Sequence, residues 1–314
     1  VWENTGYTAM NLNNCKGVIS GNIFRETRDL SGFDPENEWY LYQSGILLAN
    51  PNFDLEITGN EFINCTYGVS MYANVDGEID ITDNLFDGTL ISSVRATSSQ
   101  EDETTDLDGL TVSGNSFVNF VGSDSTRRQI SSSRTDGQVI NATCNWFGTD
   151  VTTEVEALVD STVLISPFLI SGTDSDAGVL GFQSESGSCL GGPVQVFANS
   201  GSTDPQSGHA TIQAAIDAVT TVSGNEIRVD AGEYEETIDV SKSVTLKSRA
   251  AVSTDAKIIG GGGVGAADAV VRFSADGATL EGFTIDRGDE ELNSRAIAPM
   301  GSNGTTVKNN VIVN

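Results

Sequence analysis

A short recurring phrase constrains the fold of this chain more than any other feature. Each copy has an aliphatic residue, two small or polar residues, an asparagine, any residue and a phenylalanine. The copies occupy residues 19–24, 57–62, 81–86, 112–117 and, more loosely, 142–147, with a related stretch at 307–312. From Asn22 onward the asparagines are 38, 24, 31 and 30 residues apart. This pattern predicts one fixed corner per repeat, with loops of varying length elsewhere.

Each phrase predicts a strand, a tight corner and a second strand. Side chains alternate along a strand, so the aliphatic residue and the phenylalanine face inward, and Gly or Asp before the asparagine suits a corner with unusual backbone angles. In stacked repeats the asparagine amides can hydrogen-bond along the axis, and the rings can stack in the same way. The predicted ladder residues are Asn22, Asn60, Asn84, Asn115, Asn145, Asn310, Phe24, Phe62, Phe86, Phe117 and Phe147.

The composition limits the kinds of partner. The chain carries 44 acidic and 16 basic residues and a net charge of −28, which disfavours nucleic acid and anionic membrane surfaces. No apolar run approaches the length of a membrane span, so no membrane insertion is expected. An acidic surface of this kind suits high salt or divalent cations.

The cysteines and glycosylation triplets leave several questions open. Cys15, Cys65, Cys144 and Cys189 do not form a metal-spaced cluster, so we expect buried small side chains. One disulfide is an open alternative, and its pairing does not follow from the spacing. Asn-x-Ser/Thr triplets begin at Asn64, Asn141 and Asn303. Such triplets are common by chance, so they only raise glycosylation as a hypothesis.

An apparent ending precedes an apparent beginning in the middle of the chain. Residues 137–170 have the pattern of a closing segment, and residues 171–193, rich in Ser, Gly and Asp, are predicted to be an exposed, mobile linker. Residues 194–226 have the pattern of an opening segment. An amphipathic helix is predicted at about 209–220, with Thr211 as its N-cap and an apolar face that would cover the first coil.

Several stretches together resemble a known superfamily. Residues 211–218, 227–234 and 277–285 resemble the opening and early coils of right-handed parallel β-helix proteins of the pectate-lyase-like superfamily. Residues 145–149 and 166–169 resemble the closing segment of a bacterial or archaeal surface subset. The resemblance implies an all-β, right-handed parallel β-helix (solenoid) with a short N-terminal capping α-helix. Because this superfamily includes lyases, hydrolases, adhesins and structural repeats, the fold leaves the function open.

The segments occur in circularly permuted order. Residues 1–170 would be the C-terminal coils and closing segment, and residues 194–314 the capping helix and N-terminal coils. Joining residue 314 to residue 1 would separate Asn310 from Asn22 by a step within the range of the others. The order fits a window from a tandem array, a permuted monomer, or copies assembled head-to-tail. We favour the first and third, because exposed sheet edges are rarely left unpaired.

Calcium-dependent polysaccharide lyases of this fold, as the resemblance implies, need carboxylates around the metal and a nearby basic residue. The candidate ligands are Asp286, Asp289, Glu290 and Glu291, with Arg287 and Arg295 close in sequence. A second acidic group lies at residues 101–108, with Arg95, Arg127 and Arg128 in neighbouring loops. We favour solvated acidic loops for both groups. No cofactor is required, and Ca²⁺ is a candidate structural ligand.

Other chemistry has less support. Hydrolases of the polygalacturonase kind need an Asp pair and a Gly-His-Gly element, whereas this chain has no Asp-Asp pair and its single histidine, His209, precedes the predicted helix. Trp146 is expected in the wall or core. Trp39, Tyr40 and Tyr42, at the edge of an insertion, are the candidates for contact with carbohydrate or a partner.

These observations favour a secreted, cell-surface structural or adhesive repeat without catalytic activity. Its expected partners are other copies of itself, head-to-tail in a fibre or tandem array, and polysaccharide is a further candidate. One alternative is a polysaccharide lyase or other carbohydrate-active enzyme acting on uronic-acid polymers. Another is a glycan-binding module without catalysis.

Overall fold

The computed structural model divides the chain into two compact units, Val1–Cys189 and Leu190–Asn314. The predicted boundary segment, 171–193, contains this division. The structure describes residues 1–3, 8–13, 15–26, 43–49, 54–72, 77–97, 109–122, 127–132, 138–250, 255–260, 269–288 and 295–313.

The first unit contains three parallel sheets. Sheet A consists of β1 (Trp2–Glu3), β4 (Ile23–Arg25), β7 (Glu61–Ile63), β10 (Leu85–Asp87) and β13 (Ser116–Val118). Sheet B consists of β2 (Met10–Asn13), β5 (Ser44–Ala49), β8 (Tyr67–Tyr72), β11 (Ser92–Thr97) and β14 (Ile130–Ser132). Sheet C consists of β3 (Gly17–Ser20), β6 (Leu55–Thr58), β9 (Ile79–Thr82), β12 (Leu110–Ser113), β15 (Ile140–Asn141) and β16 (Val163–Leu164).

The chain visits these three sheets in rotation. From β1 to β12, each strand pairs in parallel with the strand three positions later, so one strand from each sheet makes one coil. The register aligns the recurring phrase with itself: Ile57 pairs with Ile81, and Phe86 lies between Phe62 and Phe117. Equivalent side chains therefore form columns along the unit.

The interior of the first unit is one apolar cluster, in which Phe62 and Phe86 are fully buried. Two glycines make room for these rings. A Cβ at Gly45 would lie 2.7 Å from Cδ1 of Phe62, and one at Gly68 would lie 2.5 Å from Cε1 of Phe86. Real Cβ atoms do not approach other atoms so closely, so a larger residue at either position would displace a core ring.

A folded closing segment follows these coils. It contains helix α1 (Thr152–Glu156) and strand β17 (Phe168–Leu169), and strand β18 (Cys189–Gly191) begins at its last residue. Residues 171–189 fall in the first unit, although the sequence predicts a linker there, and most of residues 171–180 are exposed, as expected. Phe182 is buried and its N–H donates to the Asp83 carbonyl, while a disulfide joins Cys189 to Cys144. Because most of the segment is polar, its composition does not indicate these two attachments to the first unit.

The second unit also contains mostly parallel sheets. Sheet D has the strand order β20 (Pro205–His209), β19 (Val194–Phe197), β21 (Glu226–Val229), β24 (Thr245–Ser248), β27 (Thr279–Glu281) and β30 (Thr306–Lys308). Sheet E consists of β22 (Gly232–Glu235), β25 (Ala256–Ile259), β28 (Thr284–Asp286) and β31 (Val311–Val313). Sheet F consists of β23 (Ile238–Val240), β26 (Ala269–Phe273) and β29 (Arg295–Pro299). Strand β19 is antiparallel to β20 and β21, and from β21 onward the pairs are parallel.

Helix α2 (Ile212–Asp217) is shorter than the predicted 209–220. Thr211 caps it, since its side chain accepts a hydrogen bond from the Ala214 N–H at 3.1 Å. The carboxylate of Glu236 accepts from the N–H groups of Ile212 and Gln213, each at 2.9 Å. The sequence predicts Ile212, Ala215, Ile216 and Val219 on one apolar face. The first three are buried, but the helix ends at Asp217, so Val219 falls outside it and is exposed.

The predicted all-β class is confirmed. Both units consist mostly of parallel sheets whose strands are visited in rotation, and the helices in the described residues are short. This arrangement is consistent with a parallel β-helix.

We predict that removing the Cys144–Cys189 disulfide lowers the free energy of unfolding of the first unit by about 2–4 kcal/mol, because the bond closes a long loop. The sequence separation is 45 residues. The suitable variant combines Cys144→Gly with Cys189→Ala, since Cys144 has a φ of 57° and glycine occupies the equivalent corners at Gly59 and Gly114. Urea unfolding followed by tryptophan fluorescence measures the effect, because Trp2, Trp39 and Trp146 all lie in the first unit.

The control for this experiment is Cys15→Ser, which changes an exposed free thiol. Its urea midpoint should match that of the unchanged protein. An equal midpoint for the double variant as well would contradict a stabilising role of the disulfide.

Candidate functional site

A column of asparagine side chains runs along the corners between sheets C and A. In each step the backbone N–H of one asparagine donates to the Oδ1 of the next, and its Nδ2 lies 3.0–3.1 Å from the same oxygen. The N–H to Oδ1 distances are 3.0 Å for Asn22–Asn60, 2.9 Å for Asn60–Asn84, 3.0 Å for Asn84–Asn115 and 2.9 Å for Asn115–Asn145. The structure thus brings these five predicted ladder residues together in one chain of hydrogen bonds.

Each buried asparagine also satisfies backbone carbonyls at its corner. Nδ2 of Asn84 donates to Thr82 of its own coil and to Ile57 of the preceding coil, both at 2.8 Å. Asn60 and Asn115 make the same pair of contacts. The side chains of Asn60, Asn84, Asn115 and Asn145 are fully buried. Since a buried polar group without a partner costs about 1–3 kcal/mol, this position favours asparagine over an apolar residue.

The residue before each asparagine has a positive φ. The values are 67° for Gly21, 62° for Gly59, 56° for Asp83, 69° for Gly114 and 57° for Cys144. Glycine and aspartate tolerate this left-handed conformation better than most residues. The corner therefore depends on two adjacent positions: one permits the turn, and the asparagine satisfies the polar backbone groups that the turn leaves inside.

The phenylalanines form a second column beside the asparagines. Their ring centroids lie 4.9 Å apart for Phe24–Phe62, 4.7 Å for Phe62–Phe86, 5.0 Å for Phe86–Phe117 and 5.4 Å for Phe117–Phe147. The rings of the first two pairs are almost parallel, with interplanar angles of 7° and 6°. These distances match the strand spacing, so ring contact and strand pairing support the same register.

The sequence reasoning missed a third column, two residues after each phenylalanine. Glu26, Asn64 and Asn119 all have positive φ there. Nδ2 of Asn64 donates to Oε1 of Glu26 at 2.7 Å, and Nδ2 of Asn119 donates to Oδ1 of Asp87 at 2.8 Å. The signal was present, since polar or glycine residues recur at this offset from the phenylalanine.

The asparagine column has an unused acceptor at its first rung. Among the described residues, nothing donates to Oδ1 of Asn22, whereas the Oδ1 atoms of the four asparagines after it accept from the preceding rung. Strand β3 is the edge of sheet C beside this rung, and its Val18 side chain is 62% exposed. Cys15, just before β3, is an exposed free thiol.

The second unit has one rung of the same kind, at its last described corner. Oδ1 of Asn310 accepts from the N–H of Phe283 at 2.9 Å, and Nδ2 of Asn310 donates to the carbonyls of Leu280 and Lys308. In the described part of the chain the N–H of Asn310 has no acceptor. Strands β30 and β31 form this edge, and Val307 and Ile312 on them are exposed.

The acidic candidates for a metal site are not brought together by the described residues. Asp289, Glu290 and Glu291 lie outside these residues, as do positions 101–108. The carboxylate of Asp286 lies 2.8 Å from Nζ of Lys257 and accepts the Gly288 N–H at 2.9 Å. In the part of the chain that the structure describes, no three His, Cys, Asp or Glu side chains are grouped closely enough to hold a metal ion.

The hydrogen bond from Lys257 lowers the pKa of Asp286 below its ordinary value of 3.8, and the Gly288 N–H acts in the same direction. The hydrogen bond with Asp286 in turn raises the pKa of Lys257. A different situation exists at Asp83, where desolvation, followed by the negative charge of Glu56, raises the carboxyl pKa although part of the side chain is exposed.

The remaining candidates are separated or lie outside the described residues. Trp39, Tyr40 and Tyr42 belong to the latter group. Nη1 of Arg95 donates to the Tyr67 hydroxyl at 3.1 Å, with the guanidinium 5.3 Å from the ring centroid. Nε2 of His209 is 2.8 Å from the Ser207 hydroxyl, and burial lowers the pKa of this histidine.

Comparison with known proteins points to the cell surface. A stretch of 103 residues is 34% identical to part of a protein named cell surface glycoprotein from Methanothermus fervidus. The match covers 33% of this chain and 15% of the length of that relative. No protein-family model and no solved structure shows a significant match. The similarity is consistent with a cell-surface role.

No helix in the described residues is both long and apolar enough to cross a bilayer.

We predict that Lys257→Gln destabilises the second unit in a pH-dependent way. The pKa of Asp286 is lower in the folded state than the ordinary value of 3.8 expected in the unfolded chain. Its ionised carboxylate therefore stabilises the folded state at pH values above the unfolded pKa, and this stabilisation is lost as the pH falls through the folded pKa. The unchanged protein should therefore exceed the variant in free energy of unfolding at pH 7, and the gap should close in acid.

Urea unfolding followed by far-UV circular dichroism tests this, once tryptophan fluorescence has assigned the transition of the first unit. The control is Lys247→Gln, which removes an exposed lysine from β24. A gap that stays constant from neutral to strongly acidic pH would show that Asp286 is not the group involved.

Proposed function

We propose that this chain is a structural or adhesive element of a cell surface. In this proposal each unit is a right-handed parallel β-helix of the pectate-lyase-like type, and helix α2 covers the first coil of the second unit. Coils of one copy stack on coils of the next, in a fibre or tandem array. The function is mechanical, because parallel strand pairing would continue along one axis at about 4.8 Å per coil.

The surface location has two sources of support. One is the named relative, a cell surface glycoprotein that is 34% identical to this chain over a third of its length. The other is the Cys144–Cys189 disulfide, since such bonds persist in oxidising, extracellular environments.

One observation carries the stacking proposal: the two exposed edges have complementary hydrogen-bonding groups. The corner of Asn22 has an acceptor without a donor among the described residues, and the corner of Asn310 has a backbone donor without an acceptor there. Stacking Asn310 of one copy on Asn22 of another would form the bond that each inner rung of the first unit already makes. It would also cover exposed apolar side chains such as Val18 and Ile312.

The same register assigns neighbours along the edge. Cys15 and Asn303 each lie seven residues before their asparagine and just before an edge strand, so stacking would bring these two positions next to each other. Strand β1 pairs with β4 at the place that β31 of the incoming copy would take. The proposal therefore requires β1, which is two residues long, to give up its pairing with β4.

The alternatives rest on the resemblance. A lyase acting on uronic-acid polymers would use the acidic loops, and a glycan-binding module would use Trp39, Tyr40 and Tyr42. Of these candidates the structure describes Asp286, whose carboxylate is held by Lys257. Release of unsaturated products from polygalacturonate would favour the lyase, and glycan binding without turnover would favour the module.

We predict that Asn303→Cys forms disulfide-linked multimers through Cys15 of a neighbouring copy. Adjacent strands are about 4.8 Å apart, which is within reach of a disulfide. Because each copy carries a charge of −28, the protein should be oxidised at high salt, where screening acts over about 3 Å at 1 M. Non-reducing electrophoresis then measures the multimers.

Two variants control this experiment. Ser223→Cys adds a thiol at an exposed position beside β21, away from the β30 edge, and should give no excess of multimers. Combining Asn303→Cys with Cys15→Ser should abolish them. If Asn303→Cys links no better than Ser223→Cys, the proposed stacking register is wrong.

A further inference from the structure

The chain has three Asn-x-Ser/Thr triplets, beginning at Asn64, Asn141 and Asn303, and the structure describes all of them. A glycan attaches to the side-chain nitrogen, so an acceptor must expose that nitrogen and leave room around it. The three asparagines differ sharply in this respect.

The side-chain nitrogen of Asn64 already has a hydrogen-bond partner within the fold. It forms one of the positive-φ corners, with a φ of 53°, and its Nδ2 donates to Oε1 of Glu26 at 2.7 Å. Cys65 and Thr66, the other two residues of the triplet, are fully buried. Attachment of a sugar would break the contact with Glu26 and place a bulky polar group in a packed corner.

Asn303 is exposed, yet its surroundings are less suitable. Its N–H donates to Oδ1 of Asp276 at 2.6 Å, and its Nδ2 lies 3.5 Å from the same oxygen. The hydroxyl of Thr305 is 3.1 Å from that of Ser302. The triplet also borders the β30 edge, where a glycan would obstruct the proposed stacking.

Asn141 has the geometry of an acceptor. It is exposed at the end of β15, and Ala142, next to it, is fully buried and fixes the backbone. Its Oδ1 accepts from the Thr143 hydroxyl at 3.0 Å and from the Thr143 N–H at 3.3 Å. Within the described residues its Nδ2 has no partner, so the oxygen is held against the chain while the nitrogen remains available.

The surroundings of Asn141 leave space for a sugar. Its neighbours in register on sheet C are Thr111 and Leu164, and neither is a large aromatic residue. Four strand steps separate β15 from the β3 edge, a distance of about 19 Å at the usual strand spacing. A glycan here would project sideways and leave that edge accessible.

We propose that Asn141 is an N-glycosylation site. In the transfer, Nδ2 forms a bond to the anomeric carbon of an oligosaccharide, and the bond from that carbon to the phosphate of a polyisoprenoid carrier breaks. The proton leaves Nδ2 for a base of the transferase, and no oxidant or reductant is needed. The proposal rests on the surface location proposed above, because this transfer takes place on the export route.

The test is secretion of the full chain from a eukaryotic host that performs N-glycosylation, followed by glycopeptide mass spectrometry. The peptide containing Asn141 should carry a glycan mass shift, and the Asn64 peptide should not. Asn141→Gln and Thr143→Ala should each lose the shift, whereas Thr143→Ser should keep it. Asn303→Gln is the matched control and should leave modification at Asn141 unchanged.

An unmodified Asn141 in the secreted protein would overturn the proposal, and so would equal modification of all three triplets, because folded geometry would then not select the site. Circular dichroism of Asn141→Gln checks that the fold is retained. Failure here is distinguishable from failure of the stacking proposal, because the cysteine experiment has a separate readout, disulfide-linked multimers, and can be run on protein produced in a host without N-glycosylation.

Discussion

The hydrogen bond from a backbone N–H to the Oδ1 of the asparagine in the next coil is the interaction on which the first unit depends. At each corner a residue with a left-handed backbone conformation turns the chain, and the turn directs polar backbone groups into the interior. Asn60, Asn84 and Asn115 satisfy these groups with one side chain each, which also bonds carbonyls of two coils. The phenylalanine column and the glycines at 45 and 68 follow from the register that these corners impose.

Much of this architecture could be predicted from the sequence, because each corner has a local signature. The recurring phrase contains the turn residue, the asparagine and the inward phenylalanine, and it indicates parallel strands in columns. The packing partners could not be found in this way. Gly45 and Gly68 are selected by rings from other strands, and the Cys144–Cys189 pairing depends on how residues 171–189 fold back.

The second unit shows where the local signature stops. In its penultimate coil the position of the asparagine is occupied by Phe283, whose N–H still donates to Oδ1 of Asn310. The corner geometry therefore persists with a single rung, and the phrase alone would not identify the earlier coil. Ion pairs such as Lys257–Asp286 connect neighbouring strands on the outer face of this unit. Such pairs depend on register, so the sequence could offer Asp286 as a candidate metal ligand in an acidic loop but could not show its pairing with Lys257.

Hydrogen exchange of asparagine side-chain amides tests the central claim most directly. In a chain labelled with ¹⁵N-asparagine, NMR can follow the Nδ2 protons of Asn60, Asn84 and Asn115, with those of the exposed Asn11 and Asn141 as internal references. The buried column predicts that the first three exchange only when the unit unfolds, far more slowly than the references. Exchange of all five at similar rates would contradict a column of buried asparagines at the corners.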